Sequence, residues 1–173
     1  METLDKKRQI VFLLVGPPGC GKSTWVNKHY IWDYDALISR DCIRFNLLKE
    51  GDEYFEREQE VRRMFFKEIE KMTAENSWAD KVYIDATHLT RKSRHQVLSH
   101  ITSNPYVIAV SFELPIEVAL ERNAQRSGRA LVPENVIHNM YQAFDKPSVK
   151  EGFDEVWHID ENDNVIKEHK IYG

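Results

Sequence analysis

A chain of 173 residues, 42% hydrophobic and 30% charged, has the size and composition of one soluble globular domain, expected to span 1–173, and not of a disordered or fibrous protein. A net charge of −4 excludes a broad basic surface that wraps nucleic acid, while leaving room for a narrow basic cleft. The longest apolar run, Ile10 to Val15, is far below the roughly 20 residues that span a bilayer, and METLDKKRQ lacks the apolar centre of a signal peptide, so a cytoplasmic chain with no membrane partner is expected.

Gln9 to Val15 is an apolar, β-branched run ended by Gly-Pro-Pro-Gly, which predicts a buried strand meeting a sharp turn, with a helix from near Gly21. Ala36 to Ser39 reads as a second short strand, and Asp41 as the residue that opens and caps the next helix. Apolar residues at helical spacing, Phe55, Val61, Phe65, Ile69 and Met72 among them, predict a long amphipathic helix over Glu53 to Asn76. Lys81 to Ile84 is a strand ending at Asp85, Thr90 to Ile101 a helix, Tyr106 to Phe112 a strand, and another helix follows Pro115. Phe153 to Asp160 reads as a last core strand, with an Glu-Asn-Asp-Asn turn leading into a closing hairpin or edge strand. Strands alternating with helices predict an α/β fold: a mostly parallel central sheet with helices on both faces. Cys20 and Cys42 are isolated thiols, without the spacing of a disulfide framework or a zinc site.

Gly16-Pro17-Pro18-Gly19-Cys20-Gly21-Lys22-Ser23 fits G-x-x-x-x-G-K-[ST] between a strand and a helix, the context that this phosphate-binding loop requires. Glycines let successive amides turn toward phosphate oxygens, and the helix N-terminus adds its partial positive charge. Nucleoside triphosphate binding is therefore predicted at Gly16, Gly19, Cys20, Gly21, Lys22, Ser23 and Thr24, with Lys22 on the β- and γ-phosphates and the Ser23 hydroxyl on Mg²⁺. A guanine-nucleotide switch is disfavoured: the Asn-Lys of Asn27-Lys28-His29-Tyr30 lies inside the first helix and lacks the aspartate of N-K-x-D. What remains is a small phosphotransferase, which needs a base for its acceptor and arginines for the moving phosphoryl group.

Ile38 to Arg44, ISRDCIR, sets a carboxylate and an arginine three residues apart on the first turn after a strand. If that strand lies beside the P-loop strand, Asp41 sits at the ligand-binding edge of the sheet, where it could accept the proton of an attacking hydroxyl. Downstream, ERNAQRSGR carries Arg122, Arg126 and Arg129 where a lid could close over a triphosphate, a task suited to the forked, permanently charged guanidinium.

Four blocks in order, GPPGCGKSTW, SRDCIR, YIDATHLTRKSR, and ERNAQRSGRALVPENVIHNMY with its trailing FDKPSVKEGFDEV, resemble the 5'-kinase module of phage-type polynucleotide kinases within the small P-loop kinases. That resemblance implies a P-loop kinase domain with an arginine-bearing lid, ATP as donor, Mg²⁺ as cofactor, and the 5'-hydroxyl end of DNA or RNA as acceptor, in nucleic-acid repair or processing. It further implies Asp41 as general base, Arg44 on an acceptor phosphate, Arg122 and Arg126 with the donor, Asp85 holding the metal through water, and Thr87 near the acceptor or the phosphates. His88 stands where that family often has asparagine. Asp33-Tyr34-Asp35-Ala36-Leu37 lacks the threonine of the D-x-D-x-T phosphatase pattern, so a kinase without 3'-phosphatase is expected.

Two other readings compete. The same fold could phosphorylate a sugar, nucleoside, antibiotic, nucleotide-sugar or aminoacyl-tRNA, which the acidic net charge favours, whereas Arg44 with Arg91, Lys92 and Arg94 favours an acceptor that bears phosphate. A non-catalytic nucleotide-binding module would have no use for Asp41 or Arg126.

Overall fold

Residues 8–171 are described by the computed structural model; residues 1–7 and 172–173, which include most of METLDKKRQ, and the side chain of Arg129 lie outside the described residues. In chain order the elements are β1 (Ile10–Val15), α1 (Lys22–His29), β2 (Asp35–Ser39), α2 (Arg40–Leu47), α3 (Glu58–Met72), β3 (Lys81–Asp85), α4 (Arg91–Ser99), β4 (Tyr106–Phe112), α5 (Ile116–Ala124), α6 (Glu134–Ala143), β5 (Glu155–Ile159) and β6 (Val165–His169). One six-stranded sheet runs β2-β3-β1-β4-β5-β6. Its first five strands are mutually parallel and β6 pairs antiparallel with β5, as the expected closing hairpin requires.

Both faces of the sheet are covered, and the strand alternation shows how. Val11, Leu13 and Val15 of β1 and Val107 and Ala109 of β4 join a core with Phe65 and Ile69 of α3 and Val97 of α4. Phe12 and Leu14, with Ile108, Val110 and Phe112, point the other way into a core shared with Val26 of α1. Strands buried on both sides read as unbroken apolar runs, which is why β1 and β4 were legible from composition. Among the described residues, no helix is long and apolar enough to cross a membrane.

Three expectations are corrected. β2 does not lie beside the P-loop strand: β3 intervenes, pairing with β1 on one side and β2 on the other, with Ser39 in register with Asp85. The long helix starts at Glu58 and ends at Met72, not over Glu53 to Asn76. Before it, Asp52 Oδ2 accepts from Lys49 N and from Arg57 Nε, folding the segment into turns and leaving Phe55 exposed. The cap of α2 is Ser39, whose Oγ accepts from Cys42 N at 3.4 Å; Asp41 sits within the first turn, its carboxylate free for other partners.

Candidate active site

The loop after β1 is shaped by glycines in left-handed conformations, φ 83° at Gly19 and 100° at Gly21. A Cβ at Gly19 would sit 3.0 Å from the Ala119 carbonyl of α5, so the loop also owes its packing to the missing side chain. Gly21 precedes α1, whose first residues are Lys22, Ser23 and Thr24, and the helix N-terminus therefore opens toward the loop. Lys22 Nζ donates to Gly16 O at 2.8 Å and Pro17 O at 3.0 Å, holding its ammonium inside the curve of the loop. Cys20 is buried, with its Sγ 3.6 Å from that ammonium.

Because β3 lies between β1 and β2, the C-terminal end of β3 delivers Asp85 between the loop and α2. Burial pushes the Asp85 carboxyl above its ordinary range, opposed by the charge of Lys22. Thr87 is half-buried next along, and its carbonyl accepts from Gly16 N at 2.9 Å, fixing the start of the loop.

A cleft of about 1340 Å³ gathers these residues with the others predicted: its lining includes Gly19 to Thr24, Asp41, Arg44, Asp85, Thr87, Arg122 and Arg126. On the lid side, Arg122 Nη1 reaches Gly19 O at 3.5 Å, and Arg126 is exposed just beyond the end of α5. Leu131, Val132 and Pro133 give that side an apolar surface. Of the predicted site residues, Gly16 alone is not on the lining; it braces the loop from below through Thr87.

On the opposite wall, Asp41 Oδ1 accepts from Tyr54 Oη at 2.8 Å and from Arg44 Nη1. Arg44 also donates to Tyr54 Oη at 3.0 Å and, through Nη2, to Glu58 Oε2 at 2.7 Å. Glu58 is shared with Arg40, and together the two arginines hold its carboxyl below the usual carboxylate range against the opposing effect of burial. Arg44 is buried, with a side chain only 5% exposed. The expectation of an arginine free to grip an acceptor phosphate thus meets a guanidinium whose two terminal nitrogens are already bonded; only Nε lacks a partner. Arg40, which also lines the cleft, was not singled out in the sequence although it stands in the same SRDCIR segment.

The basic cluster in the first turn of α4 comes apart in three dimensions. Arg94 is fully buried, its Nε and Nη2 each 2.8 Å from a Glu151 carboxylate oxygen and its Nη1 donating to the carbonyls of His88 and Leu89. Arg91 and Lys92 are exposed and do not line the cleft. His88 is buried as well, Nδ1 bonded to Leu14 O at 2.7 Å beneath the loop, and so serves the loop's foundation instead of an acceptor.

Asn123 was missed in the sequence and is structurally central to the lid. Buried at the end of α5, its Nδ2 donates to Val132 O at 2.7 Å and its Oδ1 accepts from Val132 N at 3.0 Å. This two-bond clasp closes the segment that carries Arg126. The only sequence signal was an amide in an otherwise charged helix end.

No group of three or more His, Cys, Asp or Glu side chains able to cage a metal occurs among the described residues. Among the hard oxygen donors that line the cleft, the Ser23 hydroxyl beside the loop and the Asp85 carboxylate suit a magnesium ion carried largely by phosphate and water.

Comparison with known proteins places the chain among P-loop kinases by family and fold. Residues 11–147 match the AAA domain family. The chain is 31% identical over 166 residues to the transcription factor bHLH140 of Arabidopsis thaliana, covering 88% of this chain and 16% of that protein. It is 27% identical over 190 residues to the L-seryl-tRNA(Sec) kinase of Methanococcus maripaludis, covering 94% of this chain and 71% of that one. Among solved structures, a chain of the Pnkp1/Rnl/Hen1 RNA repair complex superposes with a TM-score of 0.66 at 21% identity, over 83% of this chain and 46% of that one, a likeness of fold. The chain thus spans a small part of the Arabidopsis protein and about half of the repair-complex chain. With its P-loop between a parallel strand and a helix, and a family match that takes in the loop, the β2–α2 wall and the lid, the chain belongs to the AAA domain family, a family of P-loop kinases.

Proposed function

We propose that the protein is an ATP-dependent kinase that transfers the γ-phosphate to the 5'-hydroxyl end of a DNA or RNA strand, with no 3'-phosphatase in residues 1–173. The observation that carries the reading is that one cleft presents the P-loop lysine, the lid arginines and, on the facing wall, a carboxylate fixed through one oxygen by Tyr54 and Arg44. A nucleotide-binding module without chemistry has no need of that carboxylate. The fold likeness to the RNA repair complex supports a polynucleotide acceptor.

In this reading the loop amides and Lys22 hold the donor phosphates, and Arg126, assisted by Arg122, meets the charge that builds on them as the γ-phosphoryl group moves. Asp41 takes the proton of the attacking 5'-hydroxyl while the new O–P bond forms and the bond to the β,γ-bridging oxygen breaks, releasing ADP. Ser23, and Asp85 through water, would hold the magnesium ion, which supplies charge neutralisation on the phosphates. Thr87 lines the same cleft, within reach of either substrate in this reading.

A second reading has a specific observation in its favour. With Arg44 bonded to Glu58 and Asp41, the acceptor wall offers no free guanidinium fork, which suits a hydroxyl that has no phosphate beside it, such as the seryl group on the tRNA that the Methanococcus relative's name specifies. Transfer from γ-labelled ATP to 5'-hydroxyl oligonucleotides, offered beside seryl-tRNA, nucleosides and sugars, separates the two. Preference for the oligonucleotide ends supports the first reading; preference for any of the others overturns it.

A further inference from the structure

We propose that Phe45 and Phe55 form a stacking wall that takes the terminal nucleobase of the acceptor, and that Arg44 is the strut positioning this wall rather than a phosphate ligand. The proposal rests on the 5'-hydroxyl kinase reading above and adds the part of the acceptor that is recognised.

Phe45 leaves α2 and Phe55 leaves the turns before α3, and both line the cleft. They are 42% and 68% exposed, large apolar rings facing solvent within a site where Asp41, Arg40 and Glu58 are otherwise polar. Tyr54 stands between them, its ring edge-to-face with Phe45 at 6.1 Å and with Phe55 at 4.7 Å. Tyr54 is also the residue that donates to Asp41, so the wall stands one side chain away from the carboxylate. A 5'-hydroxyl is attached through a single ribose to its base. Presenting that hydroxyl to Asp41 brings the base onto the neighbouring surface, and the surface there is aromatic.

Arg44 braces the wall. Its Cζ lies over the Tyr54 ring at 4.5 Å from the centroid and over that of Phe55 at 5.6 Å, while Glu58 and Asp41 fix its nitrogens. The guanidinium is thus consumed in holding the loop of Tyr54 and Phe55 against α2. Stacking on aromatic side chains tolerates any base and contributes roughly 5- to 150-fold in affinity per base. That suits an enzyme that accepts ends of any sequence while bearing a net negative charge.

The test uses the full chain with Mg-ATP and two 5'-hydroxyl oligonucleotides of one sequence, one with its terminal base and one with an abasic terminal residue. The abasic end is expected to raise KM by about 10-fold or more with a much smaller change in kcat. Phe55→Leu should raise KM for the natural end by a similar factor and have little further effect on the abasic end, Phe55→Trp should restore the natural KM, and Phe45→Leu should follow Phe55→Leu in the same direction. Arg44→Lys, which keeps the charge but loses the flat, forked contact, should raise KM for the natural end more than for the abasic end, while kcat falls alike on both ends because Arg44 also anchors Asp41. Equal KM for both ends, or an equal loss on both ends in Phe55→Leu, overturns the stacking wall while leaving the kinase reading intact. Transfer to no 5'-hydroxyl strand at all overturns both.

Discussion

Tyr54 donates its phenolic hydroxyl to Asp41 Oδ1 at 2.8 Å while accepting from Arg44 Nη1 at 3.0 Å. The tyrosine comes from the turns ahead of α3 and the aspartate from the first turn of α2, so the carboxylate's orientation depends on two segments meeting at the cleft wall. Burial, then the hydrogen bond to Asp41, pushes the Tyr54 phenol up to about 12, so it stays a proton donor at any working pH. Among the described residues, both hydrogen bonds to Asp41 fall on Oδ1, so in the proposed kinase reading Oδ2 is the oxygen that would meet an incoming hydroxyl.

Separating the two residues tests this arrangement. If Asp41 is the base as proposed, Asp41→Asn should lower kcat by about 10²- to 10⁴-fold, the usual contribution of a positioned base, with ATP affinity nearly unchanged because the loop would hold the triphosphate. Tyr54→Phe should cost less, on the order of 10-fold in kcat, since the base remains but one of its two anchors is gone. Single-turnover transfer and ATP titration of both variants check it. If Tyr54→Phe proves as damaging as Asp41→Asn, the phenol itself takes part in proton transfer.

The donor half of the cleft leads to a different pattern. Lys22→Ala and Arg126→Ala should each suppress transfer by on the order of 10³-fold, because in the proposed mechanism both act on charge that builds in the transition state. Arg122 reaches the Gly19 carbonyl, so Arg122→Ala should loosen the loop and raise KM for ATP more than it lowers kcat. Steady-state kinetics with varied ATP distinguish the three. Turnover near wild type in Arg126→Ala, with the loss found in Arg122→Ala instead, would move the lid role back along α5.

Much of this was legible in the sequence wherever local chemistry alone decides structure. The P-loop is read from glycine and lysine spacing, β1 and β4 from apolar runs buried on both faces, and the β5–β6 turn from its Asp and Asn residues, where the Asp160 carboxylate accepts from Asn162 N and Asn164 N. What the sequence hid depends on residues far apart in the chain. Nothing near Arg94 announces that Glu151 will bury it, since that pair is 57 residues apart. Strand order escapes for the same reason: β2 follows β1 in sequence, yet β3 takes the place between them, and it is β3 that brings Asp85 to the loop. The start of α3 was misplaced because Phe55 continues the helical apolar period although the Asp52 turn interrupts the backbone. Periodicity records side chains and is blind to a carboxylate that folds the chain back.

The lid clasp is expected to govern stability locally. Asn123→Ala leaves the Val132 N–H and carbonyl without their partners in a part-buried place, a loss of about 1–3 kcal/mol. Since the clasp closes the segment bearing Arg126, the same variant should raise KM for ATP. Denaturant unfolding together with ATP kinetics checks both effects, and an unchanged unfolding midpoint would mean that the segment is held elsewhere.

His88 gives the fold a dependence on pH that can be isolated. It sits at φ 46°, its Nδ1–H donating to Leu14 O of β1 and its Nε2 buried without a partner. The groups around it are Phe65 of α3, whose ring stacks 6.1 Å away, and three cations, Lys22 of α1, Arg40 of α2 and Arg94 of α4. Burial above all, and then those charges, pull its pKa from 6.5 down to about 4, against the hydrogen bond to Leu14. Between these values the unfolded chain binds a proton that the folded chain refuses. Stability therefore rises with pH across that window and is lost as pH falls from 6.5 toward 4, by on the order of 3 kcal/mol in total. His88→Asn keeps a short amide that tolerates a positive φ and can donate to Leu14 O, but has no proton to gain. At pH 7.5 the variant should be less stable than the wild type by about 1–2 kcal/mol, because the smaller side chain leaves space beside Phe65. As pH falls the deficit should shrink and then reverse near pH 5, measured by urea unfolding of both proteins across pH 4.5 to 7.5. A gap between the two curves that stays constant with pH would mean that His88 takes its proton in the folded state and that its burial does not exclude charge.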